Sequence, residues 1–317
     1  MQIIRDNPGR QVLKSSVVTI GNFDGLHLGH QSLLRRCVSL AQGERPVAVV
    51  TFEPLPQSWF SPESAPARLM SVYQKLDFLN KQGVQLVWLM RFNQALANMT
   101  AEDFVQTVLV KTLDAGEVVV GEDFKYGQRR QGDIETLRQA GQKSGFGLSA
   151  MPMLEVDGQL ASSTAIRSHL ASGNLEQAAH LLGRPFRMTG KVTRGQQLGR
   201  KLGYPTANIR LASLPSPLHG VFAVRARVGD RAWQGGVANL GTRPAVGGEG
   251  FLVEVHLFDF NGDLYGQRLD VEFVEKLRDE AHFENIDDLI AQMGEDERQA
   301  RNCLNFERQN SKDKHGL

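Results

Sequence analysis

The segment best suited to chemistry joins an apolar strand to a helix. Residues 16–20 are predicted to form a buried strand and residues 29–41 a helix, with Gly-Asn-Phe-Asp-Gly-Leu-His-Leu-Gly-His at 21–30. A helix N-terminus offers free N–H groups and a partial positive charge, which suits phosphate. Three glycines allow the backbone to approach a ligand closely. The segment therefore predicts a phosphate-binding loop.

Two histidines reinforce that prediction. His27 and His30 are three residues apart and are expected to share one face of the first helical turn, where both rings can donate to phosphate oxygens. The pair could also bind a metal ion, although no third ligand lies near in sequence, or could be buried in the core. No G-K-[ST] follows, which excludes a Walker loop. Residues 145–150 match the dinucleotide-binding pattern G-x-G-x-x-A. That pattern should follow a strand, whereas these residues are predicted to precede one, so the match is discarded.

A second helix start carries hydroxyls and a cation. Ser163 and Thr164 are expected to begin a short helix that places Arg167 in its first turn. An arginine there opposes the helix dipole, a small penalty that a bound phosphate would offset. Alternatively, Arg167 forms a surface salt bridge.

These two segments resemble the signatures of a known superfamily. Residues 21–30 resemble G-x-F-D-x-x-H-x-G-H, and residues 162–167 resemble I-S-S-T-x-I-R, of the nucleotidyltransferases. The resemblance implies transfer of AMP or CMP to a phosphate acceptor, with His27, His30 and Arg167 as donors to the reacting phosphates. The other residues that it implies in ATP or phosphate binding are Gly21, Asn22, Phe23, Asp24, Gly29, Ser163 and Thr164.

The acceptor is suggested by Val-Gly-Glu-Asp-Phe-Lys-Tyr-Gly at 120–127. Two aromatic rings beside a cation suit a flat ring that carries a phosphate. The segment resembles G-x-D-F-R-F-G of the bacterial bifunctional riboflavin kinase/FMN adenylyltransferases. That resemblance implies that Asp123, Phe124 and Tyr126 bind flavin.

A second constellation begins at Gly190. Glycines at 190, 195 and 199 could lie against phosphate, and Thr206 with Asn208 offers oxygen ligands to Mg²⁺. The Pro-Thr-Ala-Asn stretch alone could equally be an ordinary turn. Residues 190–208 resemble the riboflavin kinase pattern G-x-V-x-x-G-x-x-x-G-R-x-L-G-[FY]-P-T-A-N. This implies that Gly190, Gly195, Gly199 and Arg200 bind ATP and that Thr206 and Asn208 hold the metal.

A candidate base lies on the predicted strand 252–260. Alternation places Glu254, His256 and Phe258 on one face, and a carboxylate there can accept the proton of a substrate hydroxyl. It could also be a solvated outward residue. The resemblance to riboflavin kinases implies that Glu254 is the catalytic base, and that Arg278, in Leu-Arg-Asp-Glu, lies beside the flavin.

Composition limits the class of protein. The 317 residues carry 36 basic and 35 acidic side chains, and a division at residue 185 leaves 18 against 17 before it and 18 against 18 after it. Neither half has the basic excess typical of nucleic-acid binding. Two distant cysteines support no disulfide framework, residues 1–14 contain no secretion-signal run, and no apolar run could cross a bilayer. We expect a cytoplasmic protein without membrane or nucleic-acid partners, in an oligomeric state that the sequence leaves open.

The periodicity changes along the chain. Apolar strands alternate with helices up to residue 182, which predicts a doubly wound α/β domain over 1–185. Short Val- and Phe-rich segments follow, then helices at 287–293 and 295–306 and a frayed tail from 309, so a small closed β-barrel with a C-terminal helix is predicted for 186–317.

The resemblance to the bifunctional family, over residues 16–306, implies a Rossmann-like nucleotidyltransferase domain and a Greek-key riboflavin kinase barrel. It implies a two-step synthesis of FMN and FAD from riboflavin and MgATP; a non-catalytic flavin or nucleotide carrier is the alternative.

Overall fold

The computed structural model describes residues 1–195, 199, 202–210, 216–245 and 248–313. The chain divides into two compact units: unit one comprises Met1–Pro66 and Val72–Ser162, and unit two comprises Ala67–Ser71 and Ser163–Leu317. The division falls before the helix at 163, whereas the predicted domain boundary lies at residue 185. That boundary stays a prediction.

Unit one is built on a six-stranded sheet in which every pair of neighbours is parallel. Its strands are β1 (Gln2–Ile4), β2 (Ser16–Ile20), β3 (Val47–Glu53), β4 (Leu86–Arg91), β5 (Ala115–Gly121) and β6 (Gly147–Met151), in the order β1-β4-β3-β2-β5-β6. All five residues of β2 are buried, as expected of a strand covered on both faces. A short antiparallel pair, β7 (Glu155–Val156) and β8 (Gln159–Leu160), follows. The predicted α/β architecture is confirmed.

Several helices of unit one begin next to a residue whose side chain caps the helix. The helices are α1 (Leu28–Ala41), α2 (Pro56–Phe60), α3 (Val72–Lys81), α4 (Gln94–Ala97), α5 (Ala101–Phe104) and α6 (Ile134–Ser144), with 3₁₀ turns at Pro62–Ser64 and Gln128–Arg130. Asp133 and Thr136 form a reciprocal capping box at α6. Helix α5 continues as a π-helix over Val105–Thr112.

β1 was not predicted, and β6 begins earlier than the sequence indicated. β1 precedes the strand at 16–20, so the phosphate-binding loop follows the second strand of the chain rather than the first. The segment 145–150, expected to precede a strand, contains the start of β6 at Gly147. β1 is three residues long and β6 has a polar and small-residue composition, which explains why neither produced an apolar run.

Unit two begins with α7 (Ser163–Ala171) and α8 (Leu175–Leu182). Gly183 ends α8 in the left-handed region at φ 69°, as the sequence predicted. A closed antiparallel barrel follows, with strands β9 (Arg187–Thr193), β10 (Thr206–Arg210), β11 (Gly220–Val228), β12 (Gln234–Ala245), β13 (Gly248–Leu257) and β14 (Arg268–Arg278) in the order β10-β13-β12-β11-β14-β9. Because β10 lies beside β13, strands β10–β13 form the expected Greek key. The sequence did not predict β10.

The C-terminal helix, α9 (Ile286–Asp313), is continuous, although two helices and a frayed tail were predicted. It passes through Gly294, whose cost of about 1 kcal/mol relative to alanine is small beside the packing of the helix. Ala300 and Leu304 pack with Ala223 and Phe258 of the barrel. Within the described part of the chain, no helix is long and apolar enough to span a membrane.

Candidate active sites

The phosphate-binding loop of unit one has an unusual backbone between β2 and α1. Phe23 and Leu26 are completely buried and have φ values of 48° and 45°, and Gly25 has a φ of 82°. Side chains other than glycine rarely occupy this region, and they persist there only when surrounding packing holds them. The loop is therefore preorganised by its own buried side chains.

His27 caps the helix that follows. Its Nδ1 accepts a hydrogen bond from the His30 N–H at 3.4 Å, and the two rings stack with centroids 3.7 Å apart. The prediction that both histidines lie in the first turn is thus wrong for His27, which precedes it. A Cβ on Gly29 would lie 3.1 Å from the His27 ring and 3.3 Å from the Ala161 carbonyl oxygen, so glycine permits this tight arrangement.

His30 is held neutral. Burial lowers its pKa well below the usual 6.5, with further contributions from nearby His27 and Lys75. Its side chain is half-buried overall, but its Nδ1 is buried and has no hydrogen-bond partner among the described residues. The Phe23 ring lies 5.0 Å away. A neutral imidazole still has one N–H to donate to a phosphate.

This pKa predicts how unit one responds to acid. The unfolded chain binds a proton on His30 near pH 6.5, whereas the folded protein does so only at lower pH. The free energy of unfolding should therefore fall as pH drops below about 6.5, by up to about 1.4 kcal/mol per pH unit from this group. Melting temperatures of the native protein and His30→Asn between pH 8 and 5 should converge on the acidic side. Parallel curves would contradict a neutral His30.

Lys75 was missed by sequence reasoning. It lies in α3 and is 1% exposed, and its Nζ donates to the Asn22 carbonyl oxygen at 2.6 Å and to Thr51 Oγ1 at 3.3 Å. Thr51 donates to the same carbonyl at 3.1 Å. A buried cation thus anchors the phosphate-binding loop and adds positive charge behind it. The sequence feature that could have identified Lys75 is its position four residues before Leu79, which places both residues on the buried face of the helix.

The three predicted flavin residues of unit one differ in exposure. Asp123 is exposed, Phe124 is half-buried, and Tyr126 is buried in the core of the sheet. The two aromatic rings stack with centroids 5.5 Å apart, and Phe104 supports Tyr126 from the core. Only Phe124 of the two rings retains a partly exposed surface, with Tyr126 beneath it. Burial raises the pKa of Tyr126.

An aromatic cluster that sequence reasoning missed lies beyond the ends of β3 and β4. Trp59, Phe60 and Phe92 have centroids 4.9–5.6 Å apart, and Phe52 packs edge-on against Phe92. Phe60 is 62% exposed, an unusual position for a large apolar ring. The phosphate-binding loop follows β2, which is adjacent to β3, so both features lie at the carboxyl edge of the sheet. Ligands of open α/β sheets bind at that edge.

The second signature falls in unit two. Ser163 and Thr164 are the first two residues of α7, and Arg167 is the fifth, so it lies beyond the first turn that was predicted for it. Arg167 Nε donates to the Ala67 carbonyl oxygen at 2.6 Å, and the side chain has further interactions. Its role in phosphate binding stays a prediction.

A cavity in unit two lies between the barrel and α9. It opens on the barrel face opposite the fully buried Val253 and Val255. The described residues that line it are Gly199, Leu202, Tyr204, Thr206, Asn208, Val221, Val237, Asn239, Glu254, His256, Arg278, Leu289, Met293, Asp296 and Glu297. Five of the predicted kinase residues therefore share one cavity: Gly199, Thr206, Asn208, Glu254 and Arg278. Glu254 does project from the outer face of the barrel, but α9 covers that face.

Strand register sets the neighbours of Glu254. In β13 it pairs with Asn208 of β10 on one side and with Asn239 of β12 on the other. Directly opposed residues point to the same face with Cβ atoms about 5 Å apart. Both amides have a buried Oδ1 without a hydrogen-bond partner among the described residues. Unsatisfied buried amides are costly, and here they face a cavity.

Two predicted glycines of the kinase site need to be glycine for close packing. A Cβ on Gly195 would lie 2.5 Å from Asn208 Nδ2, and one on Gly199 would overlap the Tyr204 carbonyl oxygen. Gly190 is buried in β9, paired with Leu269. The predicted ATP contact Arg200 lies outside the described residues.

Two family models and several curated relatives that match this chain indicate the same pair of activities. A family model for FAD synthetase matches residues 9–165, and one for riboflavin kinase matches residues 182–304. Proteins named bifunctional riboflavin kinase/FMN adenylyltransferase are 42% identical in Haemophilus influenzae (96% of this chain, 100% of the relative) and 43% identical in Pseudomonas fluorescens (95% and 97%). The relative in Escherichia coli K12 is 41% identical, again over 95% and 97%.

The chain belongs to this family. As a bifunctional riboflavin kinase/FMN adenylyltransferase it uses ATP to phosphorylate riboflavin to FMN and to adenylylate FMN to FAD, which releases pyrophosphate. A crystal structure described as a macrolide-efflux protein from Streptococcus pneumoniae has the same fold, with a TM-score of 0.80 and 30% identity over 95% of this chain and 98% of that one. The alternative of a non-catalytic carrier is not favoured.

Arg278 of this family member is held by α9. Its Nε and Nη2 donate to the two carboxylate oxygens of Asp296 at 2.8 and 2.7 Å, and Nη1 donates to the Asp279 carbonyl oxygen at 3.0 Å. Asp296 is 4% exposed and also accepts from Gln292 at 2.9 Å. A bidentate pair of this kind fixes the guanidinium plane. The contact of Arg278 with flavin stays a prediction, but its side chain lines the cavity in a fixed orientation.

Proposed function

We propose that the cavity under α9 is the riboflavin kinase site and that Glu254 is its general base. The observation that carries this proposal is the row Asn208–Glu254–Asn239, one carboxylate between two amides whose oxygens have no described partner. Glu254 would accept the proton of the terminal ribityl hydroxyl while that oxygen attacks the γ-phosphorus of ATP, leaving ADP. The carboxylate then carries the proton that the hydroxyl has lost.

We propose that Asn208 and Thr206 hold the Mg²⁺ of MgATP. Mg²⁺ prefers oxygen ligands and keeps several waters, so two neutral protein oxygens beside the triphosphate are a suitable set. The buried, unpartnered Oδ1 of Asn208 fits that requirement. The described residues contain no cluster of three or more His, Cys, Asp or Glu that could hold a metal ion by themselves. When bound, the metal neutralises charge on the phosphates.

For the second reaction we propose catalysis by positioning, without a protein nucleophile. The phosphate of FMN attacks the α-phosphorus of ATP, and pyrophosphate leaves. The loop backbone at 21–30, His30 and the positive charge of Lys75 behind the loop would stabilise the negative charge on the phosphates. The resemblance of α7 to the superfamily signature implies that Ser163, Thr164 and Arg167 also bind phosphate.

The aromatic cluster Trp59–Phe60–Phe92 is proposed to contact the isoalloxazine ring of FMN. Phe60→Ala should raise KM for FMN about 5- to 10-fold, the loss expected for one aromatic contact of about 1 kcal/mol or slightly more. Binding of FMN should also quench the fluorescence of Trp59, measured against Trp59→Phe as the reference. Tyr73→Ala removes another exposed ring of unit one and serves as the control. Equal KM values for Phe60→Ala and the native protein would exclude this contact.

One experiment tests the assignment of the metal and the order of reactions. The protein is incubated with riboflavin and MgATP, and flavins are resolved by chromatography. We expect FMN to form first and FAD to follow, and removal of Mg²⁺ by chelation to stop FMN formation. FMN formation that continues without a divalent cation would refute the role given to Thr206 and Asn208.

The cytoplasmic location stays a prediction from the sequence, which leaves the oligomeric state open.

A further inference from the structure

Asn239 is a polar residue beside the proposed base Glu254. It lies in β12, lines the kinase cavity, and pairs directly with Glu254 across the β12–β13 ladder. Its Oδ1 is buried and has no described hydrogen-bond partner. A buried amide oxygen without a partner costs about 1–3 kcal/mol unless a ligand supplies the missing hydrogen bond.

The barrel order shows which substrate Asn239 faces. On one side of β13 lie β10, which carries Asn208, and then β9, which carries Gly190; Gly195 and Gly199 lie in the segment between these two strands. On the other side lie β12, β11 and β14, and the row that starts at Glu254 continues through Asn239 and Val221 to Arg278. Asn239 therefore lies between the proposed base and the proposed flavin-side arginine, away from the nucleotide strands.

On this part of the cavity wall, Asn239 is the residue that can form a hydrogen bond with a substrate. Among the described cavity-lining residues of β11 and β12, Val221 and Val237 offer only methyl groups. The acceptor substrate carries a chain of secondary hydroxyls next to the hydroxyl that is phosphorylated. An amide both donates and accepts, which matches a hydroxyl that also does both.

We propose that Asn239 binds a secondary hydroxyl of the ribityl chain and so orients the terminal hydroxyl toward Glu254. This makes Asn239 a specificity-determining residue for polyhydroxylated acceptors. The inference rests on the proposed kinase site. It predicts that the enzyme distinguishes riboflavin from flavins whose side chain lacks the contacted hydroxyl, because a site built around that hydroxyl is left with an unpaired amide when it is missing.

The test uses Asn239→Leu, which keeps a similar size and removes hydrogen bonding. KM for riboflavin should rise roughly 5- to 10-fold, as for loss of one neutral hydrogen bond, while KM for ATP is unchanged. Asn239→Ser, which retains a hydroxyl, should recover part of the loss. Gln234→Leu is the matched control, because Gln234 lies on the same strand outside the cavity and bonds the Phe258 carbonyl oxygen. An unchanged KM for ATP in the kinase reaction of each variant reports that the barrel is folded.

Three deoxyriboflavins, lacking the 2′, 3′ or 4′ hydroxyl, identify the contact. For one of them the native enzyme should lose kcat/KM by the same factor as Asn239→Leu does with riboflavin, and the variant should lose no more. If all three analogues weaken the native enzyme and Asn239→Leu equally, or if KM for riboflavin is unchanged in the variant, Asn239 does not bind the chain. If Glu254→Gln retains kinase activity, the proposed site itself is wrong, which is a separate outcome.

Discussion

Glu254→Gln is expected to slow formation of FMN by about 10²–10⁴-fold, the usual contribution of a general base. Glutamine preserves the size of the side chain and its place between Asn208 and Asn239 but cannot take the proton of the attacking hydroxyl. Adenylylation of externally supplied FMN should continue at the native rate, because the family model for FAD synthetase covers residues 9–165 only. Rates are measured separately with riboflavin and with FMN as substrate.

The matched control for this variant is Glu275→Gln. Glu275 is an exposed residue of β14, in the same barrel, and it does not line the kinase cavity. The same chemical change there should leave both reactions unaffected. A parallel loss of both reactions in Glu254→Gln would show that the substitution disturbs the whole protein, and full retention of kinase activity would remove Glu254 from the mechanism.

His30→Ala should have the opposite pattern. Removal of one preorganised donor to the reacting phosphates is expected to slow FMN adenylylation by about 10²–10³-fold. The variant also loses the ring that stacks on His27, so the loop is less well held. Phosphorylation of riboflavin should be spared, and it serves as the internal measure of folding. The variant is assayed for FAD and pyrophosphate release with FMN and MgATP.

His180→Ala provides the comparison for that variant. His180 lies in α8, which belongs to unit two, and its loss should leave FAD synthesis at the native rate. Undiminished FAD synthesis in His30→Ala would refute the assignment of the loop at 21–30.

Local features were predictable because their causes are local. The cap and glycine at the end of α8, the alternation of β13 and the loop at 21–30 each depend on residues within one or two turns. Errors arose where tertiary packing overrode a local signal. Gly294 was taken as a break, yet α9 continues through it because Ala300 and Leu304 anchor the helix on the barrel. The Thr206–Arg210 strand was not predicted, because its pairing partners lie about 15 and 45 residues away.

The site residues also divide into those that local sequence motifs identify and those that only tertiary contacts reveal. Motif spacing was sufficient to identify the family and to select His30, Asn208 and Glu254, since those motifs are contiguous in the chain. Lys75 could be recognised only when α3 brought its ammonium group to the Asn22 carbonyl oxygen, 53 residues earlier. Asn239 became a candidate only when the ladder between β12 and β13 placed it beside Glu254.

The covering of the kinase site was likewise decided by the tertiary structure. Alternation put Glu254 on one face of a strand but could not tell a solvated face from a covered one. That depends on α9, whose Asp296 pairs with Arg278 and whose Leu289 and Met293 close the cavity. The chemistry of this protein could thus be predicted from short sequence motifs, because each motif is contiguous in the chain. Which side chains meet, and which are removed from water, depended on contacts between segments that the sequence keeps far apart.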